Sequence, residues 1–366
     1  MPFRLEARGR RSLLWAWLSP VVAVAGTLLL STLIFAALGK PAGAALYTFV
    51  LAPVSDLRGL SELGVKAAPL VLIGTGLALG FRANVWNIGA EGQFILGAIF
   101  GGGIGLAAGD SEGVWILPAM ILAGAFGGMV WAAIPALLKT RFNASEILTS
   151  LMLNYVAQLL LIYLVVGPWK DPQGYGFPQT RLFGDAATMP ILIHGTRVHL
   201  GVLAAVIAVA LVWLLQAKTL LGFKLRVLGE APRAASYAGF SGPRLTWFAL
   251  LLSGALAGLA GIFEAAGPIG QLTPSLSPGY GYTAIIVAFL GRLHPFGVLL
   301  GGLVLALSYL GGEKAQIALG LPNAVTGIYQ GVLLFLLLAA DLLVSYRIRL
   351  VPAPQSTIGS VAGGVT

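Results

Sequence analysis

The chain has 366 residues, 58% of them hydrophobic and only 10% charged, with a net charge of +9 and no cysteine. A soluble domain carries nearer ~25% charged residues, so the composition points to an integral membrane protein and excludes disulfides, thiolate metal sites and cysteine nucleophiles. The basic residues lie between apolar runs, where membrane topology accounts for them, and no nucleic-acid partner is expected.

The first apolar run, Leu13 to Leu38, follows Arg4, Arg8, Arg10 and Arg11. It resembles a signal peptide, with Ala42, Gly43 and Ala44 as a small-residue cleavage site. Signal cores span only ~7 to 15 residues, whereas this run is long enough to cross a bilayer. It is read as a retained first span, Leu14 to Leu38. Nine more candidates follow: Gly64 to Phe81, Val85 to Ala107, Val114 to Leu138, Ile147 to Gly167, Val198 to Gln216, Trp247 to Ala266, Gly279 to Leu290, Phe296 to Leu310 and Leu319 to Leu342. The expected fold is an all-α polytopic membrane protein of about ten transmembrane helices. A single domain of residues 1–350 precedes a small, polar, disordered tail, 351–366. The eighth candidate is too short for a full crossing and reads as a broken or re-entrant helix; the ninth is also short. With the N-terminus inside, fifteen Lys and Arg fall in cytoplasmic segments and seven outside. That bias puts both termini in the cytoplasm.

Glycine recurs at four-residue spacing within the spans, at Gly97, Gly101 and Gly105, at Gly124 and Gly128, and at Gly254 and Gly258. Such spacing lets helix backbones approach closely in lipid. Polar side chains at membrane depth face the bundle interior or water. Asn84, Asn87, Glu91 and Gln93 crowd the start of the third span, where Asn87 is placed to cap the helix and Glu91 to meet its positive end. On the fifth span Glu146, Ser150, Asn154 and Gln158 recur every four residues and form one slanted polar stripe. The stripe suits a path for a polar solute and equally suits interhelical hydrogen bonds. Glu264 is an isolated acid near the outer end of the seventh span, placed to reach the interface. The longest outer segment, 168–197, either covers the mouth of a pathway or simply connects two spans.

Between the sixth and seventh spans lies the loop 217–246. It holds Lys218, Lys224, Arg226, Arg233 and Arg244 against the single acid Glu230. Pro232 to Ala238 reads as a short helix, with proline at its first position and Gly239 placed to end it in a left-handed turn. It is either an ordinary basic cytoplasmic loop or a docking knob for a soluble partner. The three histidines lack metal-ligand spacing, and there is no G-x-x-x-x-G-K-S/T phosphate loop or G-x-S-x-G elbow. No catalytic or metal site is expected.

Several stretches together resemble one family. The loop from Gly222 to Gly239 is similar to the cytoplasmic loop of permease subunits of bacterial ABC importers in the branched-chain amino acid, ribose and nucleoside group. Asn87-Ile-Gly-Ala-Glu-Gly-Gln93, Met152-Leu-Asn-Tyr155, Gly167-Pro-Trp-Lys-Asp-Pro172, Pro178-Gln-Thr180, Gly279-Tyr-Gly-Tyr-Thr-Ala284 and Leu290-Gly-Arg-Leu-His-Pro295 resemble the nucleoside-type permeases among them. The resemblance implies a multi-pass protein of the bacterial inner membrane that is not itself an enzyme, importing nucleosides. The same machinery importing a sugar or a branched-chain amino acid is the alternative, and an ion-coupled secondary transporter is the rival from another class. It implies an ATP-binding cassette subunit holding ATP and Mg, a second permease chain forming a heterodimer, and an external substrate-binding lipoprotein. It also implies that the loop docks the ATPase through Gly222, Arg226, Gly229, Glu230, Pro232, Arg233, Ala234, Ala235, Tyr237, Ala238 and Gly239. Ala231 departs from the family's asparagine before the proline, so a side-chain cap is lost there. Asn87, Glu91, Gln93, Ser150, Asn154, Gln158 and Glu264 are the candidates for the solute path.

Overall fold

The computed structural model describes residues 3–7, 13–322 and 324–350. Arg8, Arg10 and Arg11 and the tail 351–366 lie outside the described residues. Those residues form the helices α1 (Leu13–Ala37), α2 (Ala42–Leu46), α3 (Leu57–Arg82), α4 (Ala90–Ala108), α5 (Ile116–Phe142), α6 (Glu146–Val166), α7 (Leu200–Lys218), α8 (Leu220–Glu230), α9 (Pro232–Tyr237), α10 (Gly242–Glu264), α11 (Tyr280–Leu290), α12 (Pro295–Leu319) and α13 (Ala324–Ser345), with strands β1 (Phe3–Ala7) and β2 (Tyr346–Leu350). Among them nine helices, α1, α3 to α7, α10, α12 and α13, are long and apolar enough to cross a membrane.

The chain divides into two compact units, one of residues 1–30 with 331–366 and one of Ser31–Gln330. In the first, β1 pairs antiparallel with β2, Phe3 opposite Leu350. Arg347 and Glu6 form an ion pair at 3.1 Å, and the Ser19 hydroxyl donates to Asp341 Oδ1 at 3.1 Å.

In the second unit α3 is buried without interruption from Ala67 to Phe81. α5, α6 and α7 bury one side only and leave Leu122, Leu159 and Leu211 exposed, an apolar surface suited to hydrocarbon. The glycine rows do what their spacing predicts. A Cβ on Gly97 would sit 2.2 Å from Gly258 Cα, and one on Gly128 would sit 2.1 Å from Gly254 O. α4, α5 and α10 therefore touch backbone to backbone, as small residues allow in lipid.

The structure corrects the span count at several points. The eighth candidate is the eleven-residue α11, about 16 Å long against a hydrocarbon core of about 30 Å. The ninth is not short: α12 runs 25 residues, on through Gly311, Gly312, Glu313 and Lys314. Those residues look like a helix end in the sequence but are used in packing. A Cβ on Gly311 would lie 2.0 Å from Phe49 O, Glu313 pairs with Lys66 at 3.0 Å, and Lys314 donates to Ala52 O at 2.6 Å. The third span starts at Ala90, not Val85, because Asn84 adopts φ 56° and residues 83–89 leave the helix. The 42–54 helical segment, α8 and the β1–β2 pair were not anticipated.

Candidate functional site

α6 begins at a serine cap, with Ser145 Oγ accepting from Leu148 N–H at 3.5 Å. Beyond it, the polar row binds backbone elsewhere. Glu146 pairs with Lys139 and accepts from the Trp86 N–H at 3.4 Å. Ser150 Oγ accepts from the Ile88 N–H at 3.2 Å. Asn154 Oδ1 accepts from the Gly92 N–H at 2.8 Å, while its Nδ2 donates to Ile88 O at 2.9 Å and Tyr282 Oη at 3.1 Å. Gln158 Nε2 donates to Pro274 O at 2.8 Å. The stripe thus meets the break 83–89 with the first turn of α4, and the break 270–279. An unsatisfied backbone group in the membrane costs several kcal/mol, and α6 supplies partners for several of those that the breaks release.

Asn87 does not cap α4. The N-cap is Gly89, without a side-chain bond, and Asn87 Oδ1 accepts from the Gly89 N–H at 3.1 Å. Its amide instead pairs reciprocally with Gln93 at 2.8 and 3.0 Å and donates to Ser253 Oγ at 2.9 Å, tying the break to α10. Glu91 lies in the first turn of α4 and accepts from the Gly281 N–H of α11 at 2.6 Å. A Cβ on Gly281 would sit 2.3 Å from Glu91 N, so the starts of α4 and α11 meet in contact. One carboxylate faces the positive ends of two helices, which the macrodipole favours. Ser277 Oγ accepts from the next orphan donor, the Tyr280 N–H, at 3.1 Å.

Glu264 does not reach an interface. It is 7% exposed and accepts from Tyr280 Oη at 3.3 Å, a partner that the sequence hid sixteen residues away across the break. After α10 a π-turn, Ala265–Ile269, leads into the second break. The 168–197 segment lies over that break: Met189 N–H donates to Ala266 O, Phe183 N–H to Gly270 O and Thr180 N–H to Leu272 O, at 2.8 to 3.1 Å. The predicted path residues are therefore brought together, buried or half-buried, and bonded to protein. Beside them Tyr282, 40% exposed, and Tyr155, 62% exposed, stay open. Both stood inside the recognisable motifs, yet their aromatic faces were not singled out.

At the other candidate site, α8 starts at Thr219, whose hydroxyl accepts from the Gly222 N–H at 3.1 Å. A Cβ on Gly222 would lie 2.3 Å from Leu215 O of α7, and one on Gly229 would lie 2.0 Å from Arg82 O of α3. The two glycines are seven residues apart, two turns of helix and so on one face. They seat α8 against the ends of two spans. α9 follows with Pro232 at its first position and Ala231 as an N-cap without a side-chain bond; Gly239 has φ 74°. The helix and its left-handed end thus form as the sequence predicts. Ala235 is buried, whereas Arg226, Glu230, Pro232, Arg233, Ala234, Ala238 and Gly239 are exposed and Tyr237 is 94% exposed. Phe240 packs edge-on to Phe223 at 6.3 Å with Lys224 Nζ 5.4 Å from its ring centroid. This staple holds α9 to α8, and the sequence reading missed it.

Residues 59–338 match the family described as branched-chain amino acid transport system, permease component. The chain is 38% identical to a glucose ABC transporter permease protein of Haloferax volcanii over 91% of its own length and 90% of that protein's. It is 32% identical to a guanosine ABC transporter permease protein of Bacillus subtilis, over 78% and 81% of the two chains. It is 25% identical to a nucleoside ABC transporter permease protein of Lactococcus lactis, over 87% and 89%. The ion-coupled alternative is thereby set aside. The chain belongs to the branched-chain amino acid transport system permease component family, and is an ABC transporter permease subunit of the cell membrane.

Proposed function

We propose that the chain moves a nucleoside inward, delivered by an external lipoprotein, in a complex with a second, related permease chain and two ATP-binding cassette subunits that hold ATP and Mg. The observation that carries this reading is α9, an almost wholly exposed helix fixed to α8, which is itself seated on the ends of α3 and α7. Movement imposed on α9 by a partner reaches two spans through contacts that cannot compress. With the break 270–279 and α11 counted together as one crossing, the positive-inside bias orients this end, and both termini, to the cytoplasm. Tyr155 and Tyr282 offer aromatic faces to a base or sugar ring, and the half-buried amide of Gln158, bonded to Pro274 O through its nitrogen, suits a hydroxyl group through its oxygen.

Two relatives transport nucleosides by name, and the 38% identical relative is named for glucose. That relative is the observation favouring free sugar as the second reading. The complex, reconstituted in proteoliposomes with its ATPase, partner permease and binding protein, is offered labelled guanosine and labelled glucose. ATP-dependent accumulation of guanosine, competed by other nucleosides and not by glucose, is the expected result. Accumulation of glucose alone would replace the substrate, and uptake without ATP hydrolysis would overturn the mechanism.

A further inference from the structure

The contacts of Asn154 fix the polarity of an exposed phenol. Its Oδ1 faces the Gly92 N–H at 2.8 Å, and its Nδ2 faces Ile88 O at 2.9 Å. A backbone donor on one side and a backbone acceptor on the other allow the amide one orientation, because a flip would set like against like at both. The same Nδ2 therefore also donates to Tyr282 Oη, 3.1 Å away. The phenol oxygen accepts that bond, and its own O–H proton is left for another partner. Among the described residues Tyr282 makes no second hydrogen bond, and it is half-exposed. One turn along α6, Gln158 shows the converse state, with Nε2 spent on Pro274 O and Oε1 without a donor among the described residues.

Tyr282 also stands inside the membrane. α11 ends beside the end of α3, where Phe289 stacks on Phe81 at 5.5 Å. Tyr282 lies two turns before Phe289, about 10 Å deeper along the helix. An unspent hydroxyl proton turned towards hydrocarbon at that depth is costly, whereas one lining a polar path is not. We infer that Tyr282 donates its hydroxyl proton to an acceptor atom of the passing solute and thereby selects among solutes. The inference deepens the proposed solute path and rests on it. On a nucleoside such as guanosine the edge acceptors open to a phenol are O6 and N7. A solute lacking the contacted atom leaves the donor unpaired, which is how a polar site rejects a close analogue. The ring face alone gives no such selection, since every base has a π-face.

The test uses the reconstituted complex with its binding protein. Labelled guanosine is offered together with 2-aminopurine riboside, which lacks O6, or with 7-deazaguanosine, which lacks N7. The ratio of initial ATP-dependent uptake rates is measured for the unsubstituted chain and for Tyr282→Phe. The same binding protein serves both, so its own preference cancels when the ratios are compared. Tyr282→Phe keeps the ring and leaves Asn154 both of its backbone bonds. The guanosine-to-analogue ratio is expected to fall about fivefold for the analogue that lacks the contacted atom, the loss of one hydrogen bond, and to hold for the other. A merely structural contact between α6 and α11 would slow all three solutes alike; both ratios unchanged overturns the proposal. Transport of glucose and not guanosine by the unsubstituted complex would refute the nucleoside reading. The donor is then decided separately by the ratios of glucose to 2-deoxyglucose, 3-deoxyglucose and 6-deoxyglucose: a fall in one supports it, and no change in any overturns it.

Discussion

His199 is the N-cap of α7, its Nδ1 accepting from the Gly201 N–H at 3.1 Å, and its Nε2 is buried with no partner. Burial, together with the charge of Arg197, pushes its pKa down from 6.5 to about 4. The folded protein thus binds this proton less readily than the unfolded chain does. Its contribution is fully present above pH 6.5 and is lost as pH falls towards about 4, a change of about 3 kcal/mol. His199→Asn keeps an acceptor at the cap but does not titrate. Thermal midpoints measured from pH 7 to pH 4 are expected to fall more steeply for the unsubstituted chain than for the variant; parallel slopes would refute the assignment. Read from the sequence, His199 is only a loop histidine without metal spacing. Its role depends on a backbone N–H two residues away and on the burial of Nε2. Glu264 was hidden for a similar reason, since Tyr280 reaches it only after the chain has turned back.

Among the elements, α9 was legible because its signals are local: Pro232 at the start, alanines within, Gly239 at the end. α8 was not, because Gly222 and Gly229 lower helix propensity and their reason lies in the Leu215 carbonyl near the end of α7 and the distant Arg82 carbonyl. Gly229→Ala tests that seat. Its methyl group meets Arg82 O at 2.0 Å, an overpacking that costs roughly 1–3 kcal/mol. The expected result is a lower thermal midpoint and reduced ATP-dependent uptake. Gly327→Ala in α13, where a methyl meets nothing within 4 Å, serves as the control and should leave both unchanged. Equal losses in the two variants would remove the special role of the seat.

At the scale of the whole molecule, composition and charge carried the class, and the sequence placed most of the nine long apolar helices found among the described residues. The breaks blurred the count, because a helix that stops inside the bundle stays as apolar as one that crosses it. Orientation rests on the distribution of fifteen against seven basic residues, and the lack of native cysteine makes it easy to measure. Single cysteines replacing Tyr175, 98% exposed in the 168–197 segment, and Tyr237 on α9 are expected to label from opposite sides. An impermeant maleimide should reach the first in intact cells and the second only in inverted vesicles; the reverse pattern would invert the topology. The α6 row has a further meaning at this scale. A full-length spanning helix carries in its side chains some of the hydrogen bonds that two other segments have given up in their backbones. The irregularity of one part of the chain is therefore written in the regularity of another. A periodic polar row on a spanning helix is, in this protein, the visible shadow of interrupted helices elsewhere.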